Sequence, residues 1–228
     1  MDTRRSRGPI IAIDGPAGAG KSTLARRLAI ALDLPYINTG LMYRAVTHRA
    51  LTEGIDVEDE DGLAVAARSI GFAVQSDRPD QLAIDGSTSV DALMSSPVEE
   101  RVSTVSRHPS VRMVLRDRQR QLGIGGSVME GRDIGTVVFP DADVKVFLVA
   151  ASGVRADRRA REDGRGLEAA QTVGVRDEID SRTNPFVPAP DAFMIDATNL
   201  TADEVFDEAL EVVQSRLERG ISSQRDSG

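Results

Sequence analysis

Ile10-Ile11-Ala12-Ile13-Asp14-Gly15-Pro16-Ala17-Gly18-Ala19-Gly20-Lys21-Ser22-Thr23 joins a short apolar, β-branched run to a glycine-rich loop, and leucines follow at 24, 28 and 32. The first part reads as a buried parallel strand and the last as one face of a helix. Gly15 to Ser22 matches G-x-x-x-x-G-K-[ST] at every fixed position. Glycines let the main chain curl until successive N–H groups converge on phosphate oxygens, and the helix that follows adds the positive end of its dipole. In such a loop Lys21 reaches the β- and γ-phosphates and the Ser22 hydroxyl holds Mg²⁺. Lys21 is one of only two lysines among the 28 basic residues, Lys145 being the other. Lysine at the one position where the loop needs it is therefore informative. The stretch predicts a nucleoside triphosphate site, formed by Gly15, Pro16, Ala17, Gly18, Ala19, Gly20, Lys21, Ser22 and Thr23.

Working outward, Tyr36–Asn38 reads as a second strand, and a helix is expected from Thr39–Gly40. Between Gly71 and Val90 the pattern changes to FAVQ, QLAID and STSV, separated by Asp-Arg-Pro-Asp and Asp-Gly turn signals. This predicts a small β-rich insert, about residues 71–95. Ser96-Pro97-Val98-Glu99 reads as a capping box with proline at the first helical position. Its helix is expected to break before Pro109 and restart through Val111, Leu115 and Leu122. Val128–Glu130, Val144–Val149 and Phe193–Asp196 read as further strands. Thr201–Glu204 is a second capping box, with Val205, Ala209, Val212 and Leu217 at helical spacing, and a polar, frayed tail is expected from Gly220. Alternating strands and helices predict an α/β fold: a doubly wound, five-stranded parallel sheet with helices on both faces.

Composition narrows the chemistry. The 228 residues carry a net charge of −8, with a pI near 4.9. An acidic chain lacks the electrostatic footprint of a nucleic-acid binder. The absence of cysteine removes thiol nucleophiles, disulfides and thiolate metal sites, and two histidines, His48 and His108, are too few for a multi-histidine centre. No stretch approaches the roughly eighteen apolar residues of a membrane span, and the basic N-terminus has no apolar run behind it. A cytoplasmic, monomeric protein acting on small molecules is the expectation.

A phosphate loop does not say what is done with the triphosphate. Guanine-specific switches need an Asn-Lys-x-Asp loop, and no Asn here precedes Lys. The remaining candidates are arginines: Arg44, Arg112, Arg132, Arg155, Arg158, Arg159, Arg176 and Arg182. An enzyme that joins two phosphorylated substrates needs them, because both phosphates are anionic and the transition state spreads charge over equatorial oxygens. Guanidinium binds phosphate bidentately and stays charged. From these residues alone, a small-acceptor kinase for cytidylate, uridylate, adenylate or shikimate is open, as is a nucleotide-dependent switch.

Two further strings sharpen the choice. Thr39-Gly40-Leu41-Met42-Tyr43-Arg44 follows the second strand, and Glu130-Gly131-Arg132-Asp133-Ile134-Gly135-Thr136-Val137-Val138-Phe139-Pro140-Asp141-Ala142 follows a later one. With the phosphate loop and the β-rich insert, they closely resemble the bacterial cytidylate kinases, over nearly the whole chain. The resemblance implies a single kinase domain with an acceptor-binding insert and a short lid, here about residues 151–182. It implies transfer of the γ-phosphoryl group of ATP, as its Mg²⁺ complex, to CMP and dCMP, giving CDP or dCDP and ADP. It also implies residue roles. Thr39, Tyr43, Arg44, Arg132 and Arg182 would hold the acceptor nucleotide, Ser103, Arg112 and Asp133 its base, and Arg176 and Asp180 its sugar. Lys21, Arg132, Asp133 and the lid arginines Arg158 and Arg159 would form the catalytic set. The Asp180–Phe186 segment is one residue shorter than the usual pattern, and position 130 is glutamate where some relatives carry aspartate. Cytosine offers an amino donor at N4 with acceptors at N3 and O2, which a carboxylate plus an arginine complements.

Overall fold

The computed structural model describes residues 8–75, 78–163 and 187–225. Five parallel strands form the central sheet: β1 (Ile10–Asp14), β2 (Tyr36–Asn38), β5 (Ser127–Gly131), β6 (Val144–Val149) and β7 (Phe193–Asp196), in the order β2-β5-β1-β6-β7. The helices are α1 (Lys21–Leu32), α2 (Thr39–Glu53), α3 (Glu60–Ser69), α4 (Ser96–Arg107), α5 (Pro109–Gly123), α6 (Ser152–Asp163) and α7 (Ala202–Arg225). The doubly wound α/β architecture read from the sequence is the one observed.

Strand β1 lies at the centre of the sheet and is buried on both faces, which is why its sequence is continuously apolar. The pleat divides it: Ile11 and Ile13 join α1, β6 and α7 in one core, while Ile10 and Ala12 pack with Ile37, Met129 and Ile134 in another. In register, Asp14 of β1 lies beside Gly131 of β5 and Phe147 of β6. The phosphate loop and the Glu130–Asp133 segment therefore leave adjacent strand ends together, at the carboxyl edge where open α/β sheets bind ligands.

A third core sits beside the sheet. Met42 and Val46 of α2, Leu63 and Ala67 of α3, Val105 of α4 and Val111 and Leu115 of α5 close around Leu82 and Leu93. Leu82 belongs to an antiparallel hairpin, β3 (Phe72–Gln75) with β4 (Arg78–Ile84). Two of the three extended stretches read between Gly71 and Val90 thus form strands. Of STSV, Ser87 forms an isolated bridge to Ile84 and the rest is irregular, because the Asp85–Gly86 turn returns the chain toward β4 for one residue pair only.

Other local readings meet mixed outcomes. Helix α4 is capped by position Ser95 without a side-chain bond, and Glu99 turns inward to Arg44 instead of closing a box with Ser96. The Thr201–Glu204 box forms: the Glu204 carboxylate accepts from Thr201 N at 2.8 Å, and Thr201 Oγ1 accepts from Glu204 N at 3.2 Å. Helix α7 continues through Gly220 to Arg225, and Val213 rather than Val212 enters the core. Helix α3 was not foreseen. Its signals are an Asp59 cap that accepts from Gly62 N at 3.1 Å and acidic Glu60 and Asp61 in the first turn.

Candidate active site

The loop after β1 takes the curled path that its glycines allow. Gly15 has φ +146° and Gly18 φ +71°, and a methyl group built on Gly15 would lie 2.1 Å from Leu148 O. No side chain fits there. Turning amides inward leaves carbonyls pointing outward, and these need donors. Two arginines of α6 supply them. Arg155 Nη1 donates to Ala17 O at 3.0 Å and Arg158 Nη1 to Ala19 O at 3.2 Å, while Arg158 Nη2 reaches Ala197 O at 2.8 Å. Arg158, expected among the groups that touch transferring phosphates, thus grips the outer side of the phosphate loop in this structure. The Arg159 side chain, Arg176, Asp180 and Arg182 lie outside the described residues. Lys21 is buried, and its Nζ donates to Pro16 O at 2.7 Å.

One cleft runs from this loop to the third core. Its lining includes Ala17, Gly18, Gly20, Lys21, Ser22 and Thr23 on one side, and Thr39, Tyr43, Arg44, Ser103 and Arg112 on the other, with Glu130, Arg132 and Asp133 also along the wall. Every acceptor residue expected from the sequence that falls within the described residues lines this cleft.

Each is fixed by its neighbours. Thr39 Oγ1, at the start of α2, donates to Glu130 O at 2.7 Å and ties α2 to β5. Arg44 is 5% exposed, with Nη1 donating to Leu93 O at 3.1 Å and Nη2 to the Glu99 carboxylate. Arg112 Nη2 donates to Asp133 Oδ2 at 2.8 Å, making a carboxylate–guanidinium pair on the cleft wall. Burial pushes the Tyr43 hydroxyl up, so it remains protonated against this pair and bonds to Gln119.

Sequence reasoning missed several groups. Asp14 accepts from Ile134 N at 2.8 Å through Oδ1 and from Gly135 N at 2.7 Å through Oδ2. It thereby fastens the π-helical turn after Asp133 to the strand that carries the phosphate loop. Tyr36 donates to Glu130 Oε1 at 2.5 Å. Burial, then the Glu130 charge, pushes the Tyr36 hydroxyl up, and it also bonds to Ser22. Arg116 donates to Asp133 and Gln119 lines the cleft. Only Asp14 carried a signal, a charged residue closing an apolar strand; the other contacts are made between elements distant in sequence.

Burial pushes the Asp14 carboxyl up to about 6 from 3.8, offset in part by its two amide donors. The folded protein thus holds this proton more tightly than the unfolded chain. Its contribution to stability is complete below pH ~4 and is lost as pH rises through ~6, an order of 3 kcal/mol in all. Denaturant titrations from pH 4 to 7 should show this falling component in the wild type, and Asp14→Asn should remove it. An unchanged slope in the variant would assign the titration elsewhere.

Fold and cleft together define a P-loop α/β protein in which the phosphate-loop motif faces a second, arginine-bearing wall of the same cleft. The family model described as cytidylate kinase matches residues 11–215. A cytidylate kinase of Anoxybacillus flavithermus is 44% identical over 218 residues, covering 91% of this chain and 97% of that protein. One from Geobacillus kaustophilus is 43% identical over 217 residues, again 91% and 97%. A bifunctional pantoate ligase/cytidylate kinase of Synechococcus sp. is 43% identical over 236 residues, covering 98% of this chain, which spans 44% of that longer relative. The chain belongs to the cytidylate kinase family. Among the described residues no helix is long and apolar enough to cross a membrane.

Proposed function

We propose that the protein transfers the γ-phosphoryl group of ATP to CMP, and to dCMP, giving CDP or dCDP and ADP. The observation that carries this reading is one continuous cleft with Lys21 and Ser22 at one end and the Arg112–Asp133 pair at the other. Family membership and the curated cytidylate kinase relatives support the same assignment.

The acceptor is already an ionised phosphate, so transfer needs no strong base and no covalent enzyme intermediate. Catalysis rests on positioning and charge. The inward amides of Gly15–Ser22 and the Lys21 ammonium hold the triphosphate, while Arg44 and Arg132 oppose its repulsion from the incoming monophosphate. Asp133 accepts from the cytosine amine and Arg112 donates to the ring acceptors, with Ser103 adjacent. Arg176, Asp180 and Arg182 are assigned to the sugar and phosphate by resemblance, and the lid is taken as residues 151–182, with the acceptor insert as 71–95. Lid closure would exclude water and so suppress hydrolysis.

The cleft also suits the magnesium carried by ATP. Its wall offers the Ser22 hydroxyl and the buried Glu130 carboxylate, linked through Tyr36, and magnesium takes oxygen ligands. Ser22 would hold the ion, which supplies positive charge against the β- and γ-phosphates when bound.

A panel of CMP, dCMP, UMP, AMP and shikimate with Mg·ATP tests the assignment. CMP and dCMP should be turned over with specificity constants at least tenfold above UMP. Equal constants for UMP and CMP would overturn the base reading, and ADP release independent of any acceptor would favour a nucleotide switch.

A further inference from the structure

Asp133 carries a second guanidinium that the cleft does not require. Arg116 Nη2 donates to Asp133 Oδ2 at 2.7 Å, and Arg112 Nη2 donates to the same oxygen at 2.8 Å. The two arginines stand four residues apart on α5 and so project from one helix face. Arg112 and Asp133 line the cleft, whereas Arg116 is not part of the lining.

A carboxylate held by one guanidinium is only half oriented. The terminal torsion of aspartate is broad and roughly two-fold, so a single donor can be met by either oxygen after a small rotation. Two donors converging on one oxygen from different directions remove that freedom and favour a single rotamer. Both bonds are charge-assisted, which makes the restraint strong. With Oδ2 taken by both arginines, Oδ1 is the oxygen left for a ligand, since nothing among the described residues donates to it.

Arg116 itself meets a cost in this position. Its Nε is buried and finds no hydrogen-bond partner among the described residues. An arginine held only for surface solvation would not desolvate a donor in this way. Its placement is dictated by the Asp133 carboxylate.

We infer that Arg116 is a positioning residue for base discrimination, locking the Asp133 carboxylate so that one oxygen faces the exocyclic group of the pyrimidine. The inference rests on the cytidylate reading of the same cleft. A cytosine amine meets the fixed acceptor; a uracil carbonyl at that place sets acceptor against acceptor. Discrimination depends on the carboxylate being unable to turn away, and that is what the second guanidinium provides.

The test compares Arg116→Met, which keeps the aliphatic stem, with Arg116→Lys, which keeps the charge. Steady-state constants are measured for CMP and UMP at saturating Mg·ATP, alongside thermal melts. For R116M, the ratio of the CMP to the UMP specificity constant should fall about tenfold, chiefly through a higher KM for CMP, with KM for Mg·ATP moving less than twofold. R116K should recover part of the lost ratio. A ratio equal to wild type in R116M, or an equal loss with both nucleotides, overturns the inference, because a merely structural arginine would affect both alike. Should R116M prove unfolded in the melt, Arg116→Gln, with a donor but no charge, is read by the same ratio and the same criteria. Failure of the underlying reading looks different: the wild type itself would not prefer CMP, before any substitution is made.

Discussion

Turnover of the Lys21→Ala protein should fall by about three orders of magnitude while its melting temperature stays within a few degrees of wild type. The loss follows from where the charge sits. Lys21 begins α1, directly after the curled loop, and is buried with its ammonium at the loop's mouth. The loop amides can still cradle a triphosphate without it, so binding should weaken less than turnover. What disappears is a full positive charge beside the oxygens where charge shifts during transfer, a kind of contact that carries large rate factors in phosphoryl transfer. The fold should tolerate the change, since the first turn of α1 is packed by Leu24, Ala25 and Leu28. Saturating both substrates separates turnover from affinity. Near-wild-type turnover would refute the role assigned to Lys21.

Asp133→Asn should reduce the preference for CMP over UMP by about a hundredfold, partly by making UMP a better acceptor. The substitution is nearly isosteric and can keep an oxygen toward Arg112 and Arg116. It then directs an amide N–H₂ into the cleft where the carboxylate had only acceptors. The cytosine amine loses its partner, and the uracil carbonyl gains one. Buried groups left unpaired are what make such sites selective. Specificity constants for both nucleotides give the answer directly. Equal losses for CMP and UMP would mean that Asp133 supports the cleft without reading the base.

The two variants probe opposite ends of the site, and their legibility in the sequence differs. The Lys21 end could be read from eight consecutive residues, because a phosphate loop is local: the glycines, lysine and serine act from one turn and the helix after it. The central strand was legible for a similar reason, since β1 is buried along its whole length and reads as a continuous apolar run up to Asp14. The Asp133 end needed the resemblance, because the GRDIGTVVFPDA string has no periodicity that announces the pocket we propose for the base. Even so, the residues that hold this pocket in shape went unread. Asp14 bonds the amides of Ile134 and Gly135 across 120 and 121 positions. Arg116 reaches Asp133 across 17.

Side-chain competition explains the misreadings. Ser96 to Glu99 has the letters of a capping box, but Glu99 pairs with Arg44 from α2, and a charge-assisted contact between two nearly buried side chains outcompetes a local cap. Thr201 to Glu204 has an equivalent pattern with no such rival, and its box closes. Arg158, expected to reach the transferring phosphate, bonds in this structure to Ala19 O of the phosphate loop and to Ala197 O beyond β7.

The amino-acid order alone determined the class of chemistry: an α/β sheet opening on a phosphate loop, one lysine where a triphosphate needs it, and arginines enough for a second phosphate. It could do so because backbone curvature, strand burial and helix periodicity are short-range consequences of side-chain shape and polarity. The tertiary structure decided which charges face each other. It placed two guanidinium groups on one oxygen of Asp133, turned Glu99 away from its helix start and pinned the Asp133 loop through Asp14 to the central strand. Those pairings depend on parallel strands laying remote residues side by side in a water-poor cleft, where the strength of a contact is set by distance and burial rather than by spacing along the chain.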